Sequence, residues 1–337
     1  MPFVKDILNY KSISFVGMDK NAGKTETLNY VLSRLRSFNK SIAVTSIGID
    51  GETIDQVTST SKPMVFVYPN TLFVTSEKLY EQRQIVSQIE NISHYASTLG
   101  RLVTARTLSF GNVMLSGPTS TAWLKELINE LSQKCDICLI DGALSRKSFA
   151  SPSITEAMIL STGAVLSANI EKICNQTKFV YDMTLLPCIE EELKEKLFNI
   201  SQGIFAIHNT TNEIVDLEIP SLLMIDKYRD KLFNVSKTLF IPGMITDKLL
   251  ELIISKKNIQ DYTLITKDFT HIFSSPLNTR RFLSLGGKIL YLYSTRLLAI
   301  TVNPVSPLGF KIDNEKLLSS LRSQIDVPIY NVRDINI

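Results

Sequence analysis

The stretch that most constrains this chain is Gly17-Met18-Asp19-Lys20-Asn21-Ala22-Gly23-Lys24-Thr25. It lies between a short apolar run, Ser12-Ile13-Ser14-Phe15-Val16, and a segment in which Leu28, Val31, Leu32 and Leu35 recur. The first flank reads as a buried strand and the second, spaced i, i+3, i+4, i+7, as an amphipathic helix. A glycine-rich link from strand to helix presents backbone amides at the helix N-terminus, where the helix dipole favours an anion. In such a loop Lys24 reaches the β- and γ-phosphates of a nucleotide and the Thr25 hydroxyl ligates Mg²⁺. Gly17, Asp19, Asn21, Ala22, Gly23 and Glu26 complete the expected cradle. The common pattern separates its two glycines by four residues; here Met18 takes that place and Gly17 lies one further out. A plain glycine turn with a solvated lysine would also contain Gly-Lys-Thr, so the placement between strand and helix carries the reading.

Phosphate chemistry with Mg²⁺ also needs a carboxylate at a neighbouring strand end. Ile137-Cys138-Leu139-Ile140 runs into Asp141, and a second strand over Ser41 to Ile47 leads to Asp50. Asp141 is the expected metal ligand and Asp50 a second one, or the group that orients the attacking water. After Asp141 come Gly142-Ala143-Leu144-Ser145-Arg146-Lys147-Ser148. Arg146 there is a candidate to stabilise charge at the γ-phosphate, as an arginine finger does; a solvated loop or partner-contact surface is the alternative. Asp19 and Lys20 are candidates for a second substrate. Cys135 and Cys138 have C-x-x-C spacing, but three residues apart on a strand they would point to opposite faces, so they read as structural thiols. His94, His208 and His271 form no metal or triad pattern.

The remainder reads as alternating strands and helices with apolar, unalternating strands, which indicates an α/β protein with a mainly parallel sheet covered on both faces. Further strands are expected at 64–68, 72–75, 102–109, 112–115 and 157–166, with helices at 77–97, 118–131, 168–183 and after Pro187. Beyond Ile204, strands are expected at 204–207, 213–217, 238–241, 262–266 and 297–302, and helices near 247–256 and 314–324. The texture changes near 203, giving an expected nucleotide-binding domain over 1–203 and a smaller α/β domain over 204–337 that binds a partner. Lys and Arg total 36 against 33 Asp and Glu, a net charge of +3, with no basic block. Nucleic acid and membrane are therefore not expected partners. No apolar run spans a bilayer, nothing at the N-terminus marks export, and four cysteines are too few for a disulfide framework, so the cytoplasm is the expected compartment.

The nine residues from Gly17 to Thr25 resemble the long phosphate-binding loop of dethiobiotin synthetase and of the amidotransferases of cobalamin synthesis, members of the SIMIBI class of P-loop NTPases. Asp19 stands where the MinD branch has its hallmark second lysine, which disfavours that branch. The stretch 17–25 together with Asp141 to Ser148 and Asn303-Pro304-Val305-Ser306-Pro307 more closely resembles the P-loop subunits of reactivating factors for lysine 5,6-aminomutase. That resemblance implies ATP and Mg²⁺ as cofactors, ATP hydrolysis, and a protein substrate. The substrate would be a coenzyme-B12-dependent aminomutase opened to exchange damaged cobalamin, with a companion reactivase subunit and an oligomeric assembly. It also implies that the C-terminal part, including Asn303 to Gly309, contacts the mutase or companion. The competing reading is a dethiobiotin-synthetase-like ligase in which the γ-phosphate activates a small carboxylate. A guanine-recognition motif of the Asn/Thr-Lys-x-Asp type is missing from the sequence, which favours ATP over GTP.

Overall fold

The computed structural model describes residues 3–47, 64–97, 99–143, 154–208 and 211–334. Its contacts divide the chain into two units, Met1–Lys178 with Arg296–Ile337, and Phe179–Thr295. The first unit contains β1 (Ser12–Gly17), β2 (Ile42–Ser46), β3 (Val65–Val67), β4 (Leu72–Ser76), β5 (Ser87–Ser97), β6 (Gly100–Thr107), β7 (Gly111–Val113), β8 (Ile137–Ala143) and β9 (Ala157–Gly163). The second contains β10 (Phe205–Ile207), β11 (Ile214–Asp216), β12 (Thr238–Phe240), β13 (Thr263–Thr266) and β14 (Lys288–Tyr291); β15 (Leu297–Asn303) and β16 (Ile329–Tyr330) belong again to the first. The helices are α1 (Val4–Ile7), α2 (Lys24–Leu35), α3 (Glu77–Glu81), α4 (Thr121–Ser132), α5 (Ile170–Thr184), α6 (Glu191–Leu197), α7 (Asp247–Ile254), α8 (Pro276–Ser284) and α9 (Asn314–Arg322).

The first unit is built on a nine-stranded sheet in the order β16-β15-β9-β1-β8-β2-β4-β6-β5. From β16 to β4 every neighbouring pair is parallel, and only β6 is reversed, antiparallel to both β4 and β5. The class is therefore α/β with a large, mostly parallel sheet. On one face Phe15, Val44, Leu139 and Ile159 pack with Leu28, Val31, Leu32 and Leu35 of α2. On the other, Ala43, Cys138, Ile140 and Val74 pack with Leu124, Leu127, Ile128 and Leu131 of α4. Cover on both faces explains why β1 is buried along its whole length, Ser12 and Ser14 included.

Two expectations about elements differ from what forms. In place of a single helix over 77–97, α3 stops at Glu81 and Ser87–Ser97 is an edge strand hairpinned to β6. Ser87, Asn91, Ser93 and Tyr95 are poor helix formers, and pairing with β6 through the left-handed Gly100 (φ 94) outweighs the helical spacing of Ile89 and Ile92. The expected division at 203–204 also differs from the division by contacts. The second unit opens at Phe179 and closes at Thr295, because β15 returns to pair with β9.

The second unit is a five-stranded sheet, β11-β10-β12-β13-β14, in which β12, β13 and β14 are parallel and β10 is antiparallel to both its neighbours. Leu193 and Leu197 of α6 pack with Ile207, Phe240, Ile265 and Leu292 on one face. Helix α8 is not among the expected elements although it carries a start signal: Ser275 accepts from the Asn278 amide as N-cap, and Pro276 opens the first turn. None of the described helices is long and apolar enough to cross a membrane.

Candidate functional site

Strand β1 ends at Gly17 and α2 begins at Lys24, so residues 18–23 form the link. Its near end is tied to β9 by the Met18 amide, which donates to Ser161 O at 2.8 Å. Asp19 closes the next turn, its carboxylate accepting from the Lys20 amide at 2.7 Å and its carbonyl from the Ala22 amide at 3.4 Å. Asn21 (φ 62) and Gly23 (φ 95) are both left-handed. A left-handed residue beside helical ones is the backbone form that turns successive amides toward one point. At Gly23 a side chain would be doubly unwelcome, since an added Cβ would also lie 3.1 Å from the Cβ of Asn303. The first helical bond runs from the Thr27 amide to Gly23 O. The amides of Lys24, Thr25 and Glu26 donate to no acceptor among the described residues, as helix geometry requires of a first turn.

Lys24 meets Asp141. Its Nζ lies 2.9 Å from Asp141 Oδ1, with the two side chains 22% and 15% exposed. The contact is an ion pair without hydrogen-bond alignment, so Oδ1 is buried and lacks a hydrogen-bond donor among the described residues. Register places the aspartate: Asp141 on β8 stands beside Phe15 of β1 and Ser46 of β2. Its carbonyl accepts from the Ile47 amide at 3.1 Å and the Ser46 hydroxyl at 3.3 Å. The structure thus brings Gly17, Asn21, Gly23, Lys24, Thr25 and Asp141 together at the carboxyl ends of β1 and β8, in the middle of the sheet. Asp19 and Lys20 are exposed, Ala22 is buried, and the carboxylate of Glu26 is 3.3 Å from the guanidinium of Arg333. Asp50, Arg146 and Lys147 lie outside the described residues.

These groups suit a magnesium triphosphate. Three amides without an acceptor among the described residues and a lysine could meet phosphate oxygens, while the Thr25 hydroxyl and Asp141 Oδ1 are hard oxygens of the kind that could hold Mg²⁺. Among the described residues no group of three or more His, Cys, Asp or Glu side chains is placed to hold a metal ion. A protein cage is not what Mg²⁺ needs, because it takes one or two protein oxygens and fills its octahedron with phosphate oxygens and water.

Sequence reasoning misses what lies under the loop. Thr27 of α2, Ser161 of β9 and Thr301 of β15 are all buried, and their hydroxyls meet: Thr27 to Thr301 at 2.8 Å, Ser161 to Thr301 at 2.8 Å. The Thr27 hydroxyl also contacts Gly23 O at 3.1 Å. Asn303, at the end of β15, donates from Nδ2 to the carbonyl of Asn21 at 3.2 Å. Polar residues interrupting the otherwise apolar strands 157–163 and 297–303 are the available signal.

The cysteine pair is placed differently from expectation. Cys135 precedes β8 instead of lying on it, and both thiols belong to the same cluster under α4. Burial pushes the Cys135 thiol up to about 11 and the wholly buried Cys138 well above its usual range.

No protein-family model, no curated protein and no solved structure matches this chain.

Proposed function

We propose that this chain is a P-loop ATPase of SIMIBI type that binds ATP with Mg²⁺ at the link between β1 and α2. The observation that carries this reading is the contact of Lys24 Nζ with Asp141 Oδ1 beside a helix start whose first amides have no acceptor among the described residues. An arriving triphosphate offers those amides their missing acceptors and gives Lys24 a more highly charged partner. Thr25 and Asp141, directly or through water, are the groups that would hold Mg²⁺, which when bound neutralises charge on the β- and γ-phosphates. The chain's own part is to fix the phosphates by backbone, to place a cation beside them and to keep Asp141 half withdrawn from solvent.

The narrower reading is reactivation of a coenzyme-B12-dependent aminomutase, in which nucleotide turnover drives release of damaged cobalamin. It rests on the resemblance of residues 17–25, 141–148 and 303–307 to the lysine 5,6-aminomutase reactivating factors. Calorimetry with ATP, with and without Mg²⁺, tests the first reading; absence of binding by the folded protein ends it. Hydrolysis measured with and without lysine 5,6-aminomutase tests the second. Reactivation requires slow basal turnover that rises with the mutase, and recovery of inactivated mutase only when this chain, ATP, Mg²⁺ and fresh adenosylcobalamin are all present. Turnover raised instead by a small carboxylate, with no response to the mutase, would assign a ligase.

A further inference from the structure

Asn303 stands 282 positions from Asn21 in sequence, yet its side chain is bonded to the phosphate loop. Its Nδ2 donates to the Asn21 carbonyl at 3.2 Å, and its Oδ1 accepts from the Val305 amide at 3.1 Å. The two partners, one acceptor and one donor, settle which way the amide faces. The main chain of Asn303 is itself fixed, since its carbonyl accepts from the Ala164 amide at 2.8 Å. Gly163 (φ 155) permits this approach, because a Cβ there would sit 2.0 Å from that same carbonyl oxygen. Behind it, Thr301 anchors β15 to Thr27 and Ser161 through the buried hydroxyls.

The consequence for the loop follows from peptide planarity. Holding the Asn21 carbonyl toward Asn303 points the amide of Ala22 the opposite way, toward Asp19 O, and so closes the turn that leads into the left-handed Gly23. On its other side Asn303 holds the start of the segment 304–311. That segment is closed on itself by Ser306 N–H to Phe310 O at 2.9 Å, by the bridge between Val305 and Lys311, and by Ile312 N–H to Pro304 O at 3.0 Å. Its tip exposes Leu308, 82% accessible.

Building on the ATP reading of the loop, we propose that Asn303 is a positioning residue that sets the phosphate-binding conformation of residues 19–25 and couples its occupancy to the segment 304–311. An anion held by the loop amides favours the same turn, and the carboxamide that holds the Asn21 carbonyl in it also holds the Val305 amide.

The test compares the parent with Asn303→Asp, Asn303→Ala and Lys24→Ala by calorimetry with ATP and with AMP, well below each variant's unfolding temperature. Asn303→Asp keeps the side chain's shape, removes the donor and faces a carbonyl with a charge; it should weaken ATP binding about tenfold or more while leaving AMP nearly unaffected. A residue that merely packs would lower the unfolding temperature and leave the ATP-to-AMP preference intact, and that result overturns the proposal while the ATP reading stands. Parent protein that binds no ATP, or Lys24→Ala that binds as well as the parent, would instead remove the reading itself and the proposal with it. Hydrogen exchange on the parent decides independently of how the variants fold. ATP should slow exchange in 19–25 and in 304–311 together, and protection confined to 19–25 overturns the coupling.

Discussion

Replacing Asp141 with asparagine gives a result whose sign depends on Mg²⁺. Lys24 Nζ is 2.9 Å from Asp141 Oδ1. A phosphate oxygen held by the same ammonium at hydrogen-bond distance then lies within about 6 Å of the carboxylate, unless Lys24 swings away. Two unit charges at about 6 Å repel by about 1.4 kcal/mol at an effective dielectric of about 40, and by about twice that at about 20. The side chains are only 22% and 15% exposed, so solvent screens them little and the lower figure is the least to expect. Asp141→Asn removes this repulsion and releases Lys24, so metal-free ATP should bind about tenfold more tightly than to the parent. With Mg²⁺ the order reverses, because an amide oxygen is a weaker ligand than a carboxylate and the ion no longer offsets the phosphate charge. The assay is calorimetric titration with ATP in EDTA and again in Mg²⁺, repeated at raised salt, where the metal-free gain should shrink. Weaker binding of metal-free ATP by Asp141→Asn would refute the argument, since it would mean that the carboxylate does not face the anion.

Lys24→Ala should weaken ATP binding by about two orders of magnitude with an unchanged circular dichroism spectrum, because the lysine is peripheral to the core yet faces the phosphates. Gly23→Ala forces an L side chain into φ 95 with its Cβ 3.1 Å from that of Asn303; it should cost about 1–2 kcal/mol in chemical denaturation, and a variant as stable as the parent would contradict the left-handed geometry. Thr301→Val leaves Thr27 and Ser161 without a shared partner and should destabilise by about 1–2 kcal/mol, whereas Thr301→Ser should cost much less. With burial pushing the Cys135 thiol up to about 11 and the Cys138 thiol well above its usual range, iodoacetamide at pH 8 should label exposed Cys188 well before either, as mass spectrometry will report.

The parts legible in the sequence are those whose chemistry is local. A strand running into Gly17 and a helix starting at Lys24 bring loop and helix together within a few residues, and the strand carrying Asp141 announces itself as an apolar run ending in a carboxylate. The β5 hairpin escapes such reading because Ile89 and Ile92 are spaced as on a helix, while what decides the segment is its pairing with β6. The limits of the second unit escape it too, because nothing in composition changes at Phe179 or Thr295; the chain simply leaves the sheet and comes back. That return is what hides Asn303, whose partner Asn21 no spacing rule connects to it. Yet the hydroxyls carry a usable clue. In strands buried on both faces an unpaired hydroxyl costs about 1–3 kcal/mol, so Ser161 and Thr301 each need a partner. Ser161 stands beside Gly17 in the register of β9 and β1, and Thr301 beside Ser161 in that of β15 and β9. Thr27, on the first turns of α2, supplies the third hydroxyl directly above them. Polar residues near the carboxyl ends of two apolar strands are therefore a signal, carried by the amino-acid sequence itself, that these strands pair with each other beside the phosphate-loop strand and meet beneath the helix that follows it.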